Sequence, residues 1–374
     1  MLSFSQRHIA DARFLVMGCG ALGNEVLKGL ALAGAEHLTV VDFDVVEPSN
    51  LNRSVLFRLQ DAADSRPKVE AVSERLRELN PGMEITAICG DAAFDVGLGI
   101  FRESDVVIGC VDSRQARYSI NRLCMRAGVS WVDGGIHGLE GTARVFAPQR
   151  NCYACNLGPE GLRELARRAP CSGCIRRSEA AGHVPTTGVA ASVVGAVQVQ
   201  EAFKLLEGES EDCTSLLGRI FYYDGAHMTA RTADFRAWDE DCPVHELWGP
   251  VEKAPLGVCS TAGEVLDYLR SRLSESNVSF FLHDDCFVDR VEPKSGGREK
   301  EVVEVMLPGR KVASFVEAHP YLGGFPLSDL WQNEYCSVDA AFPYPALTLR
   351  ELGIPRRDVL KVRAGSDTYY FEID

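Results

Sequence analysis

Two groups of residues in this chain have types and spacings suited to chemistry: a glycine turn with charged companions, and paired cysteines. Gly18-Cys19-Gly20-Ala21-Leu22-Gly23 follows one apolar run and opens an amphipathic one. Glycines so placed permit a tight turn and let backbone N–H groups approach phosphate at a helix N-terminus. Alone, the fingerprint also suits a nicotinamide dehydrogenase, or plain packing of helix on strand. Asp42 lies 19 residues after Gly23, where a carboxylate binds ribose hydroxyls in a dinucleotide or an ATP site. Asp44, Asn50, Arg53, Lys68 and Asp112 separate these readings, since hydride transfer has no need of a basic pair beside several carboxylates. Attack of a carboxylate on the α-phosphorus of ATP does need one: Arg53 and Lys68 would offset charge as pyrophosphate leaves. Asp112, with Asp44 sharing the work, offers the hard oxygen ligands that magnesium takes. Taken singly, Arg53 and Lys68 read as solvated charges, and Asp112-Ser113 as a helix cap; the joint spacing carries the inference.

Cys152-Tyr153-Ala154-Cys155 has the C-x-x-C spacing of two adjacent corners of a tetrahedral zinc site. Two completions are chemically sound: Cys171-Ser172-Gly173-Cys174 after 15 intervening residues, or Cys242-Pro243-Val244-His245 further along. Cys171 and Cys174 sit between Arg167-Arg168 and Arg176-Arg177, a cationic setting that favours thiolate, the nucleophilic form. The bland alternative is inert thiols beside a solvated arginine face.

Read in order, Gly-Cys-Gly-Ala-Leu-Gly, Val-Val-Asp-Phe-Asp, Ser-Asn-Leu-Asn-Arg, Arg-Pro-Lys and Cys-Val-Asp-Ser resemble the ThiF/MoeB and ubiquitin-activating-enzyme superfamily over residues 13–248. The resemblance implies ATP-dependent adenylation of the C-terminal carboxylate of a ubiquitin-like or sulfur-carrier protein with a glycine-ending tail. It puts the ribose-binding aspartate on Asp42, the phosphate contacts on Asn50, Arg53 and Lys68, and the magnesium-linked aspartate on Asp112. It also favours Cys152, Cys155, Cys242 and His245 as structural zinc ligands, His245 replacing a thiolate. Cys171 then becomes the nucleophile that holds the acyl group as a thioester for a conjugating enzyme, with Cys174 as its rival. Relatives pair as homodimers or with a related subunit and reach an N-terminal arginine into the partner's ATP site. Here only about a dozen residues precede the first strand, leaving Arg7, or an arginine of a different subunit, for that role. The chain departs from the sulfur-carrier branch at Ser54, where Gln is usual. Two alternatives remain open: an adenylyltransferase with no thioester step, and a non-catalytic subunit or scaffold.

Such a cleft must be positioned by strands alternating with helices, and residues 14–134 supply the alternation. Strands are expected at Phe14–Met17, His37–Asp42, Asp105–Cys110 and Trp131–Gly134, and helices at Leu22–Ala33, Pro67–Leu79 and Arg114–Ala127. The expected fold is α/β: a doubly wound, mostly parallel, Rossmann-like adenylation domain over 1–249, and a smaller α+β domain over 250–374. Gly249-Pro250 marks the boundary. Residues 151–187, rich in Cys, Pro, Arg and Glu, read as a zinc-binding crossover loop, and Gly188–Leu206 as a long buried helix. The last thirty or so residues are similar to the ubiquitin-fold tail of some activating enzymes, which implies docking of a conjugating enzyme.

At 374 residues, 46% apolar and 25% charged, the chain suits two ordinary globular domains, with no run of about 18 apolar residues. A net charge of -14 argues against wholesale nucleic-acid binding and fits a neutral or cationic protein partner. Thirteen cysteines without a secretory signal suggest a reducing compartment, the cytoplasm.

Overall fold

The four apolar residues of Arg13–Met17 (β1) are all buried, as expected of a strand covered on both faces. The computed structural model describes residues 4–168, 187–208, 213–235, 238–282, 285–294 and 301–374. The chain divides into two units: the first holds most of the chain up to Leu247, and the second runs from Trp248 to Asp374 and also takes in Phe94–Gly99 and the described residues from Pro159 to Arg168. Up to Leu247 the elements are α1 (Gln6–Asp11), β1, α2 (Ala21–Leu32), β2 (His37–Val41), α3 (Leu59–Ala63), α4 (Lys68–Leu79), β3 (Glu84–Ile88), α5 (Leu98–Glu103), β4 (Val106–Gly109), α6 (Arg114–Ala127), β5 (Trp131–His137), β6 (Glu140–Phe146), α7 (Tyr153–Arg168), α8 (Gly188–Glu207), β7 (Arg219–Asp224) and β8 (Thr229–Asp234).

The large sheet has the order β3-β2-β1-β4-β5-β6-β7-β8. Strands β3 to β5 pair in parallel, and β6, β7 and β8 extend the sheet antiparallel. This is the doubly wound, mostly parallel α/β fold expected. The chain winds from β1 outward to β3, then returns to β4 on the other side of β1. Between the carboxyl ends of β1 and β4 lies the crevice where such sheets bind ligands.

Local chemistry explains the elements around that crevice. Helix α6 starts at Ser113, whose hydroxyl accepts the Ala116 N–H, and stops at Gly128 in the left-handed conformation (φ 76). Thr187 caps α8 in the same way. By length and composition α8 is apolar enough to cross a membrane, but half of it is buried inside the unit. Its Val194, Val199 and Ala202 share a core with Val26, Leu27 and Val132, which accounts for its apolar character.

Two stretches differ from expectation. The Glu-Ile-Thr-Ala-Ile of β3 is largely exposed at the sheet edge, so no apolar run marks it as a strand. The composition of 151–187 predicts a loop, yet Tyr153–Arg168 is helical on both sides of a break at Gly158 (φ 64, ψ 176). Pro159 and Glu160 directly after that glycine are residues that start a helix.

The second unit contains β9 (Val251–Lys253), α9 (Ala262–Leu273), β10 (Val278–Phe281), β11 (Phe287–Pro293), β12 (Val303–Pro308), α10 (Gly309–Ala318), β13 (Leu330–Tyr335), β14 (Ser337–Val338), β15 (Val359–Ala364) and β16 (Asp367–Glu372). They form a five-stranded sheet, β14-β10-β15-β16-β9, and a three-stranded one, β12-β11-β13. Thr261 and Glu264 cap α9 reciprocally, and its Val265, Leu266 and Leu269 pack with Phe280, Leu360 and Phe371. A bulge in β11 between Val288 and Arg290 turns the Asp289 carboxylate inward. It accepts hydrogen bonds from Asn333, Tyr335 and Tyr344.

Candidate functional site

At the end of β1, Gly18 has φ +100, and a Cβ there would lie 2.6 Å from the Cys110 carbonyl oxygen after β4. A Cβ on Gly23 would lie 2.0 Å from the Gly18 carbonyl oxygen. The chain itself therefore demands both glycines. Gly20 differs: a Cβ there would meet nothing within 4 Å, although the residue opens α2 with no side-chain cap. Its bare backbone faces open space at a helix N-terminus, the shape and polarity that accept phosphate.

Asp42, just after β2, braces this turn. Its two carboxylate oxygens accept the N–H groups of Cys19 at 2.7 Å and Asp44 at 2.8 Å. Burial holds the Asp42 carboxyl above its usual range, while Lys68 pulls it back down. Lys68, the first residue of α4, donates from Nζ to Asp44 Oδ2 at 2.8 Å. The Lys68 backbone N–H also bonds the Asp44 carbonyl at 2.9 Å. Asp44 is thus engaged with Lys68. Asp112 is exposed beyond β4, and it is Ser113 that caps α6.

The segment after β2 carries the other two charged or polar candidates. Asn50 accepts the Glu47 N–H at 3.0 Å, and Arg53 Nη1 donates to the Ser49 carbonyl and to Asn52 Oδ1. Gly188, opening α8, packs against Arg53, where a Cβ would lie 3.7 Å from the Arg53 Cα. The glycine turn, Asp42, Asp44 and Lys68 are therefore joined by direct contacts. Asp112 enters through Cys110, and Asn50 and Arg53 through the chain segment that Asn24 holds.

Several residues around this cleft gave no motif. Asn24 joins the glycine turn to Leu56. Arg117 on α6 donates to the Val111 carbonyl at 2.7 Å and to Asp133 at 2.8 Å, steadying the turn that leads to Asp112. Asp133 has no exposed surface and also binds Arg144 at 2.5 Å. Gln198, fully buried on α8, donates to the Gly109 carbonyl at 2.9 Å. A charged Asp133 inside the apolar run Trp131-Val132-Asp133-Gly134 was the available signal, since a buried carboxylate requires partners.

Cys152, Cys155, Cys242 and His245 come together, their ligand atoms all within 4.8 Å of one another. Cys152 and Cys155 sit at the start of α7, and Cys242 and His245 on a turn closed by His245 N–H to Cys242 O at 3.4 Å. Cys155 Sγ lies 3.2 Å from His245 Nε2. A hydrogen bond from Cys152 holds Cys242 down to about 6 and drives Cys152 upward, while burial pushes Cys155 up to about 11. Burial lowers His245, which favours the neutral imidazole that metal ligation requires. Three crowded sulfurs and a neutral imidazole are a donor set that zinc satisfies in tetrahedral geometry. Fully buried Asn121 on α6 donates to Cys152 Sγ at 3.1 Å and accepts the Tyr153 N–H at 2.9 Å, orienting the first ligand. The alternative pair Cys171/Cys174, the proposed nucleophile and its rival, lies outside the described residues.

A nucleotide-binding α/β sheet with an open glycine turn, a lysine–aspartate pair at its carboxyl edge and a buried Cys₃His cluster defines the class. The model of the ThiF family matches residues 3–244, and the chain belongs to that family. It is 35% identical over 239 residues to the SAMP-activating enzyme E1 of Haloferax volcanii, covering 64% of this chain and 82% of that protein. It is 34% identical over 236 residues to the molybdopterin-synthase adenylyltransferase of Escherichia coli, covering 62% of this chain and 84% of the relative. Among solved structures, E. coli MccB superposes with a TM-score of 0.51 at 19% identity, covering 64% of this chain and 67% of that one, a likeness of fold.

Proposed function

We propose that this protein uses ATP to adenylate the C-terminal carboxylate of a small ubiquitin-like or sulfur-carrier protein. One observation carries the reading: an open glycine turn after β1 and a lysine–aspartate pair after β2 are joined through Asp42 at the carboxyl edge of the sheet, with Arg53 and Asp112 on the flanking segments. In the reaction a carboxylate oxygen bonds to the α-phosphorus, the bond to the bridging oxygen breaks, and pyrophosphate leaves. No proton has to move, so the chain's duty is to hold charge and geometry. The amides around Gly20 would meet phosphate, Asp42 the ribose, and Asn50, Arg53 and Lys68 the departing charge. Asp112 would hold magnesium, which when bound neutralises part of the triphosphate charge. The names of the relatives, an activating enzyme and adenylyltransferases, support the reading.

A second step would follow in which the Cys171 thiolate bonds to the acyl carbon, AMP leaves, and the thioester passes to a conjugating enzyme. The arginines flanking Cys171 support it, and Cys174 is the alternative sulfur. A homodimer or a related second subunit would complete the site with an arginine in trans. Arg7, exposed on α1 and paired with Asp11, is the residue to test. Zinc at Cys152, Cys155, Cys242 and His245 would be structural, and the protein would work in the cytoplasm.

The test is ATP–pyrophosphate exchange with glycine-tailed carriers. Stimulation by a carrier supports adenylation, and its absence across all of them leaves a non-catalytic subunit. A reductant-sensitive adduct lost in Cys171→Ala supports the thioester step. Exchange without an adduct favours an adenylyltransferase that stops at the adenylate.

A further inference from the structure

Asn24, near the start of α2, is a polar side chain with no exposed surface. Its Nδ2 donates to the carbonyl oxygens of Cys19 at 2.7 Å and Gly20 at 3.2 Å. Its Oδ1 accepts the backbone N–H of Leu56 at 2.7 Å. Two carbonyl acceptors on one side and one N–H donor on the other admit only this orientation of the amide. Both N–H groups and the oxygen are therefore spent on main chain.

Those three backbone groups belong to two separate segments. Cys19 and Gly20 form the turn whose open face accepts phosphate. Leu56 ends the segment that carries Asn50 and Arg53, and both Leu56 and the following Phe57 are anchored in the core. A single side chain thus sets the distance between the glycine turn and the arginine-bearing segment. Ser54, between Arg53 and Leu56, has a buried hydroxyl with no partner among the described residues, so it does not duplicate the link.

We infer that Asn24 is a positioning residue for the phosphates of the bound nucleotide, an inference that rests on reading this cleft as an ATP site. It keeps Arg53 in reach of phosphate held at Gly20 without touching the nucleotide itself. Asn is suited to the task because the site needs two donors and one acceptor at fixed positions. Alanine leaves the Cys19 carbonyl and the Leu56 N–H without the partner they have, while the Gly20 carbonyl keeps the backbone N–H of residue 24. Aspartate has the right shape, yet it loses both donors and sets negative charge against two carbonyl oxygens and the incoming phosphate.

The experiment is calorimetric titration of the full chain with Mg-ATP and, separately, with adenosine, for wild type, Asn24→Ala and Asn24→Asp. Asn24→Ala should weaken ATP about tenfold, the size expected for loss of buried hydrogen bonds, and leave adenosine unchanged. Asn24→Asp should weaken ATP further, and its matched shape carries the test if the alanine variant fails to fold. Equal weakening of both ligands, or no change in their ratio, would mean that Asn24 only stabilises the fold and would overturn the proposal. Wild type that binds neither ligand would overturn the ATP-site reading, and this inference with it; wild type that binds ATP while the variants keep its ratio to adenosine overturns the role of Asn24 alone.

Discussion

At the carboxyl edge of the large sheet, the groups that would meet ATP lie on the segments that follow β1, β2 and β4, and two stay open to solvent: Gly20 faces empty space and Asp112 is exposed. In the Cys/His cluster, Cys155 meets His245 across 90 residues of chain, and all three sulfurs are buried. Each region is steadied by one fully buried asparagine, Asn24 for the open cleft and Asn121 for the closed cluster. The contrast matches the roles proposed for the two regions. A substrate site must exchange its ligand and so leaves polar groups unspent on its surface, whereas a structural metal site encloses its ligands and keeps none for water.

Mutations should separate the two regions. The largest effect is expected from Arg53→Ala, Lys68→Ala or Asp112→Ala, each lowering carrier-stimulated ATP–pyrophosphate exchange by roughly 10²–10³-fold while zinc per chain stays as in wild type. A parallel fall in zinc would show that the regions are not independent. Next, Cys242→Ala should abolish stoichiometric zinc, read by metal analysis of purified protein, and lower the thermal midpoint while the folded fraction still binds ATP. Unchanged zinc content would remove Cys242 from the ligand set.

Asn121→Leu should weaken zinc by about 10–100-fold in competition with a chelator, the usual cost of losing an outer-shell partner; wild-type affinity would reduce Asn121 to a packing residue. The glycines offer a subtler comparison. Gly20→Ala meets no neighbour and should keep the wild-type thermal midpoint while weakening ATP, whereas Gly23→Ala collides with the Gly18 carbonyl and should compromise folding. Full ATP affinity in Gly20→Ala would show that phosphate does not sit against that backbone.

A control lies outside both regions. The hydrogen bond to Asp289 pushes the Tyr344 hydroxyl from its ordinary 10.0 up to about 12. The folded state thus favours neutral tyrosine, and that bond's stabilisation is complete below about pH 10 and lost as pH rises through about 12. Tyr344→Phe should flatten the alkaline decline in thermal midpoint over that window and alter neither zinc content nor exchange. An identical decline in the variant would assign it to other groups.

Much of this was legible in the sequence where chemistry is local. The apolar runs of β1 and β4, the amphipathic period of α6, and the glycine turn each depend on neighbours within a few residues. Strand β3 was not, because an exposed edge strand needs no apolar face. The helical part of 151–187 was hidden by a Cys- and Arg-rich composition that suggests loop chemistry, even though Gly158-Pro159 carries a restart signal. In the second unit, β11, α10 and β13 gave no distinct signal either. Their core of Val288, Val291, Val312 and Val316 is assembled from strands and a helix that pair across long separations.

By itself, then, the sequence determined the α/β alternation, the glycine turn, the charged residues named for adenylation and the identity of two possible Cys sets, because these follow from residue type and short spacing. Only the tertiary structure decided how these residues are joined. It gathered Cys242 and His245 onto Cys152 and Cys155, set Lys68 on Asp44, gave the cap of α6 to Ser113, and revealed Asn24, Asn121 and Arg117 as braces. A buried amide or guanidinium has a role only through the backbone groups it meets, and those meetings are made when distant segments pack together.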